Sequence, residues 1–364
     1  MADCPQYRIE GGRLLVGNRR IEWIDVLKAI GMFTVVLGHC VQGVVSSQDP
    51  NPVFASIVLK TIYSFHMPLF FIISGLTFNP HTEQSFSHFA KHKAQGLIYP
   101  YLTLSACVFP IWLLERHVGA VQPDSVLSIL VGTVYSNASV IRGIANAGWF
   151  MLSLFVADCL VAVICRMTDD WLRRGELSIA VLVLGMLATV DSGSALGTPW
   201  HFEAACVCQF YVFIGFVLRQ QMTMLDDWEK RWGRLPLAAA CAVAAFLCAY
   251  INGTCDYSNY KYGNILLAIG SALGFSLALI IVLRHISHGG ILTYIGRNTV
   301  VFLMFHVNIL RLVQHYFPVV EHRTLFAALA AVLLYWFLLL PTVFFTKLFP
   351  FVIRWPKNIG RNVR

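Results

Sequence analysis

Ten stretches of this chain are apolar for about the 20 residues that a helix needs to cross a bilayer. They lie at about 23–45, 53–78, 97–114, 149–165, 177–192, 201–218, 235–251, 263–283, 291–313 and 325–349. In lipid each segment must satisfy its own backbone N–H and C=O groups, so continuous apolar runs of this length are read as helices. The fifth and sixth runs are short. Length alone would suggest two or three soluble domains. Only 13% of the residues are charged and 57% are hydrophobic, whereas a soluble domain carries about 25% charged residues. The predicted fold class is therefore all-α: a polytopic integral membrane helix bundle of about ten transmembrane helices. It would occupy residues 23–350, between a polar tail at 1–22 and a basic tail at 351–364. "VLSILVGTVY" (126–135) is too short to cross and reads as a re-entrant or interfacial helix. No internal repeat or low-complexity linker divides the chain.

The net charge of +8 is distributed unevenly. One set of connections and tails carries Arg8, Arg13, Arg19, Arg20, Lys91, Lys93, Arg166, Arg173, Arg174, Arg219, Lys230, Arg231, Arg234, Arg284, Lys347, Arg354, Lys357, Arg361 and Arg364. The alternate connections carry only Arg116, Arg142, Lys261, Arg311 and Arg323. By the positive-inside rule, both termini should be cytoplasmic. Topology thus absorbs the positive charge, and membrane lipids rather than nucleic acid are its expected partners. The opening "RIEGGRLLVGNRR" lacks the apolar core of a cleaved signal, so the first span should remain as an anchor. The ten cysteines show no CxxC pair, and Cys206 with Cys208 makes a poor metal clamp. They read as reduced packing residues.

Ionisable groups inside apolar spans are functional candidates by default. Lys28 and His39 in the first span are eleven residues apart, about 20° around a helix and roughly 16 Å along it. Asp25 lies within pairing reach of Lys28. His39 should sit about 24 Å from the cytoplasmic end of its span. His66 and His306 should sit about 18 and 22 Å from the same face. Three imidazoles at one depth could line one cavity, although a lone helical histidine is more often a packing residue. Lys60 should snorkel, as can Arg297. Asp158 is expected to pair with a bundle cation. Trp149, Trp200 and Tyr101 read as interface-belt aromatics, and Trp149 is also a candidate for stacking on substrate.

There is no HExxH, Cys/His metal spacing, Walker loop or GxSxG, and no metal is expected. A histidine can take a proton from a hydroxyl that attacks an activated acyl group, and a neighbouring cation can hold an anionic donor. The same groups would serve a transporter or exporter of a small anion or lipid-linked sugar. Such a protein would need broken spans in matched halves. Pro68 and Pro341 interrupt spans, but no such symmetry is visible.

"RIEWIDVLKAIGMFTVVLGHC", "SFHMPLFFIISGLTF", "LIYPY", "WFMLSLF" and "FLMFHVNIL" follow one another in the order seen in the acyltransferase 3 family of integral membrane acyltransferases. Over nearly the whole chain after the N-terminal tail, the sequence resembles that family. It is most similar to the fucose 4-O-acetylase-like branch, which acetylates sugars of bacterial surface polysaccharides or Nod factors. The resemblance implies about ten spans in a bacterial inner membrane and transfer of an acyl group, commonly from acetyl-CoA, to a hydroxyl of a sugar or glycan, free or lipid-linked. It makes His39 the general base, with His66 and His306 as further catalytic candidates. The family's arginine, separated from that histidine by ten intervening residues, is replaced by Lys28, which keeps the charge but loses the bidentate fork. Lys28, Lys91, Lys93 and Arg297 are then the donor-binding candidates. Asp25, Asn146 and Trp149 are the acceptor-side candidates, the last two near an outer entrance.

Overall fold

The computed structural model describes residues 7–10, 13–16, 19–46, 53–80, 84–137, 140–190, 197–318 and 323–356. Lys357, Arg361 and Arg364, which contribute to the charge pattern, lie outside them. The N-terminal segment carries three short strands: β1 (Tyr7–Glu10), β2 (Arg13–Val16) and β3 (Arg19–Arg20). They pair antiparallel in sequence order, with Tyr7 opposite Val16 and Leu15 opposite Arg20. The rest of the described chain is helical, an all-α bundle.

All ten apolar runs are helices. The central one is α1 (Glu22–Ser46), which packs against α2 (Val53–Leu76). On the face rich in Lys and Arg lies α3 (Phe86–Gly96), followed after the single residue Leu97 by α4 (Ile98–His117). The short run is α5 (Val126–Tyr135), over the residues expected. Then come α6 (Trp149–Met167), α7 (Trp171–Val190), α8 (Phe202–Gln220), α9 (Met222–Trp232), α10 (Arg234–Asn252) and α11 (Ile265–Leu283). The ninth run is broken into α12 (Ile291–Arg297) and α13 (Thr299–Tyr316). The break falls at Asn298, whose side-chain amide donates to the Tyr294 carbonyl at 2.8 Å and so competes with the helical backbone bonds. The tenth run is α14 (Thr324–Phe337) and α15 (Leu339–Leu348), followed by α16 (Pro350–Ile353).

Eight helical stretches among the described residues are long and apolar enough to cross a membrane. The other two predicted spans are α7, whose first turns carry Arg173, Arg174 and Glu176, and the broken α12–α13. Peripheral helices turn large apolar side chains outward, among them Leu247 and Ile251 on α10, Leu266 on α11, and Leu325, Leu329 and Leu333 on α14. A surface of this kind suits a lipid environment.

The α2–α8 contact shows why small residues are needed. A Cβ on Gly75 would fall against the Val212 carbonyl, and one on Gly215 against that of Ile72. In lipid, helices associate through such close backbone approach rather than through the hydrophobic effect. Gly75→Val should force the pair apart and destabilise by about 1–3 kcal/mol. A fall in the thermal unfolding midpoint in detergent would register it, and an unchanged midpoint would refute the close-packing account.

On the basic face, α9 is clamped to the end of α11. Arg284 bonds Asp226 at 2.5 Å and Glu229 at 2.7 Å, and His285 lies 2.8 Å from the other Glu229 oxygen. Burial pushes the Glu229 carboxyl up, but hydrogen bonds and charge from Arg284 and His285 outweigh it and leave the group below its ordinary value. A carboxyl depressed on folding stabilises above its unfolded pKa, near 4.3, and that contribution is lost as pH falls through the folded value. The melting midpoint of wild type should therefore fall in acid more steeply than that of Glu229→Gln. Parallel pH profiles would contradict this.

Candidate active site

A cavity of about 530 Å³ opens between α1, α2, α3, α6 and α12–α13 on the basic face. Its mouth carries Lys28, Lys93, Arg297, Arg354, His88 and His92, and its far end is apolar, formed by Met32, Val35, Met67 and Leu303. Val35 is one turn before His39, Met67 follows His66, and Leu303 is three residues before His306. The cavity therefore ends directly beneath a layer of histidines.

In that layer the His39 and His306 rings are 5.1 Å apart between centroids. Tyr63 bridges to the third ring, 6.3 Å from His39 and 4.8 Å from His66. The Tyr63 hydroxyl donates to Gln42 at 2.8 Å. α1, α2 and α13 thus bring the three imidazoles together, although none of them is among the residues lining the cavity. His66 and His306 are buried, and His39 is half-buried.

Helix geometry fixes two of the tautomers. His66 Nδ1 lies 2.8 Å from the Ile62 carbonyl, and His306 Nδ1 lies 3.0 and 2.9 Å from those of Phe302 and Leu303. A carbonyl only accepts, so Nδ1 carries the proton in both rings and Nε2 presents a lone pair. His306 Nε2 is buried and has no hydrogen-bond partner.

The remaining candidates divide. Lys28 is half-buried and lines the cavity. Arg297 lines it too, while its guanidinium bonds Asp25 at 3.3 Å and lies 3.8 Å from Glu22. Asp25, expected on the acceptor side, is buried in this ion pair and does not line the cavity. Lys93 lines the cavity but pairs with Asp158 at 2.7 Å, which also accepts from Ser74 at 2.9 Å. The expected partner cation of Asp158 is therefore Lys93. Lys91, expected to meet the donor, is exposed on α3 and lines no wall of the cavity. Its helix turns Phe89 and Lys93 inward, and Lys91 falls between them.

Asn146 accepts from the Gly143 N–H at 3.0 Å and stabilises the turn before α6. Trp149 and Tyr101 are buried in the bundle rather than placed in an interfacial belt. Trp149 lies 5.0 Å from the His201 ring, and Tyr101 donates to the Thr133 carbonyl at 2.6 Å. Lys60 lies over the Tyr250 ring at 5.3 Å.

Several polar residues of the bundle were not legible from the sequence. His88, His92 and Arg354 join the cavity mouth. The first two share a face with Phe89 and Lys93 at helical spacing in "FSHFAKHKAQG", a signal that the amphipathic pattern carried. Glu115, which reads as part of a connection, is fully buried. It accepts from Asn308 at 2.9 Å and lies 3.9 Å from Arg311. Arg311 is thus a bundle residue rather than a loop charge. Among the described residues, no three His, Cys, Asp or Glu side chains gather as a metal ion would require.

The family model described as "Acyltransferase domain" matches residues 21–354, and the chain belongs to the acyltransferase 3 family. It is similar to the nodulation protein NolL of Mesorhizobium japonicum, at 27% identity over 254 residues, covering 69% of this chain and 60% of that protein. It is also similar to the nodulation protein NolL of Sinorhizobium fredii, at 36% identity over 102 residues, covering 28% of each chain. The chain thus spans less than two thirds of either relative. No solved structure matches it.

Proposed function

We propose that this protein is a membrane-bound O-acyltransferase that moves an acetyl group from acetyl-CoA to a hydroxyl of a carbohydrate acceptor, with His39 as general base. The observation that carries this reading is the polarity of the cavity. It is cationic at the basic mouth, apolar at its far end, and finishes one helical turn beneath His39 and His306. A donor with a phosphorylated head and a thin, neutral arm matches that gradient. Lys28, Arg297 and Arg354 would meet the phosphates, with Lys93 contributing while it remains paired to Asp158. The arm would carry the thioester up past Met32 and Val35.

At the histidine layer, His39 takes the proton of the acceptor hydroxyl as its oxygen attacks the thioester carbonyl. The carbon–sulfur bond breaks, and the imidazolium returns the proton to the departing thiolate. The Nε2 lone pair of His306, beside His39, orients the base through its charged stage. With both termini cytoplasmic, acetyl-CoA enters from the cytoplasm of a bacterial cell, and the acceptor, free or lipid-linked, reaches the histidines from the opposite face.

The test uses purified protein in nanodiscs with radiolabelled acetyl-CoA and a panel of deoxysugar-containing glycans. Label should pass to a glycan. Folded protein that neither binds acetyl-CoA nor transfers label would overturn the reading, and solute uptake by reconstituted vesicles without acyl-CoA would replace it with a transporter.

A further inference from the structure

The end of the bundle away from the cavity mouth holds a second concentration of polar groups, at the start of α8. His201 is completely buried, yet neither ring nitrogen has a hydrogen-bond partner. A buried, unpaired polar atom is destabilising, and an imidazole has two. The backbone here is strained as well. Trp200 and His201 both occupy the left-handed region, at φ 62 and 50, and neither is glycine. Strain and unpaired buried groups found together mark a candidate functional site.

Aromatic rings wall the imidazole: Trp149 at 5.0 Å and Tyr260 at 5.7 Å between centroids. Tyr260 is itself held by Asn137 at 2.8 Å and lies 3.5 Å from Glu203. Two residues further on, the buried Tyr262 hydroxyl also lacks a partner. Gly148, the residue before Trp149, lies against Met304, two residues before His306 on α13, so this group of residues and the histidine layer are neighbours.

We propose that His201 is an acceptor-binding residue, its two ring nitrogens taking two hydroxyls of a carbohydrate, one as donor and one as acceptor, beside the aromatic rings of Trp149 and Tyr260. The Tyr262 hydroxyl is the next polar group of the same subsite. This inference rests on the reading of the chain as a carbohydrate O-acyltransferase. A site built to hydrogen-bond hydroxyls discriminates strongly when its own partners are removed.

His201→Phe keeps a ring between Trp149 and Tyr260 and deletes both nitrogens. Protein in nanodiscs would be compared with wild type in three measurements: thermal midpoint, acetyl-CoA binding, and binding of methyl fucoside, methyl glucoside and methyl N-acetylglucosaminide by saturation-transfer NMR without donor. His201→Phe should melt no lower than wild type, bind acetyl-CoA normally and bind the preferred glycoside about tenfold more weakly. His201→Asn keeps a donor and an acceptor and tolerates left-handed backbone, so it should stay within about threefold of wild type. If His201→Phe does not fold, Tyr262→Phe decides, because it removes one unpartnered hydroxyl and nothing else. Glycoside binding within twofold of wild type in the folded Phe variant overturns the proposal, as does wild type that binds none of the three. Wild type that binds a glycoside through His201 but transfers no acetyl group would leave the subsite standing and remove the transferase reading.

Discussion

His39→Gln protein should bind acetyl-CoA as wild type does and transfer its acetyl group at least a hundredfold more slowly. Glutamine fills much of the imidazole's space and can still hydrogen-bond, but it cannot carry a proton between the acceptor hydroxyl and the leaving thiolate. General-base catalysis by a positioned side chain contributes roughly 10²–10⁴ in rate. The loss should appear in kcat rather than in donor affinity, because His39 lies beyond the far end of the cavity and not among its walls. His306→Gln should cost less, since its Nδ1 is held by the Phe302 and Leu303 carbonyls and only its Nε2 faces outward from that anchor. Full transfer activity in His39→Gln would remove His39 from the chemistry and move the base assignment to His306.

Val35→Phe should separate binding from chemistry in the opposite way. Val35 is buried and forms part of the apolar end of the cavity, one turn below His39. A phenyl ring there occupies the path between the cationic mouth and the histidines. The phosphate end of the donor should still bind, with affinity within a few-fold of wild type, while transfer falls by about a hundredfold or more, as expected when a reacting group is displaced by an ångström or more. Overpacking at such a site costs about 1–3 kcal/mol of stability, so the unfolding midpoint must be measured alongside. Undiminished transfer by a folded variant would mean that the thioester reaches the histidines by another route.

Much of the site was legible because membrane burial makes polar residues conspicuous. An acid, a lysine and a histidine in "DVLKAIGMFTVVLGHC" stand out against apolar neighbours, and regular helix rise converts their spacing into depth. His39, His66 and His306 could therefore be placed at one level before any packing was known. Lys28 and Arg297 were legible for the same reason. Lys91 was not resolved from Lys93, because nearness in sequence does not say which face of α3 meets the bundle. Asp25 was legible as an ionisable group, but its engagement with Arg297 brings together two residues 272 positions apart.

By itself, the sequence determined the class of the protein, its helices and the common level of His39, His66 and His306 along them. These follow from local quantities: apolar length, charge distribution and the fixed rise of a helix. Only the tertiary structure decided which helix faces meet. It brought His306 against His39, neutralised Lys93 with Asp158, drew Glu115 and Arg311 out of apparent loops into the bundle, and trapped His201 between Trp149 and Tyr260. Each of these depends on the rotation of one helix against another, which in lipid is set by the close fit of residues such as Gly75 and Gly215 rather than by a simple segregation of polar from apolar.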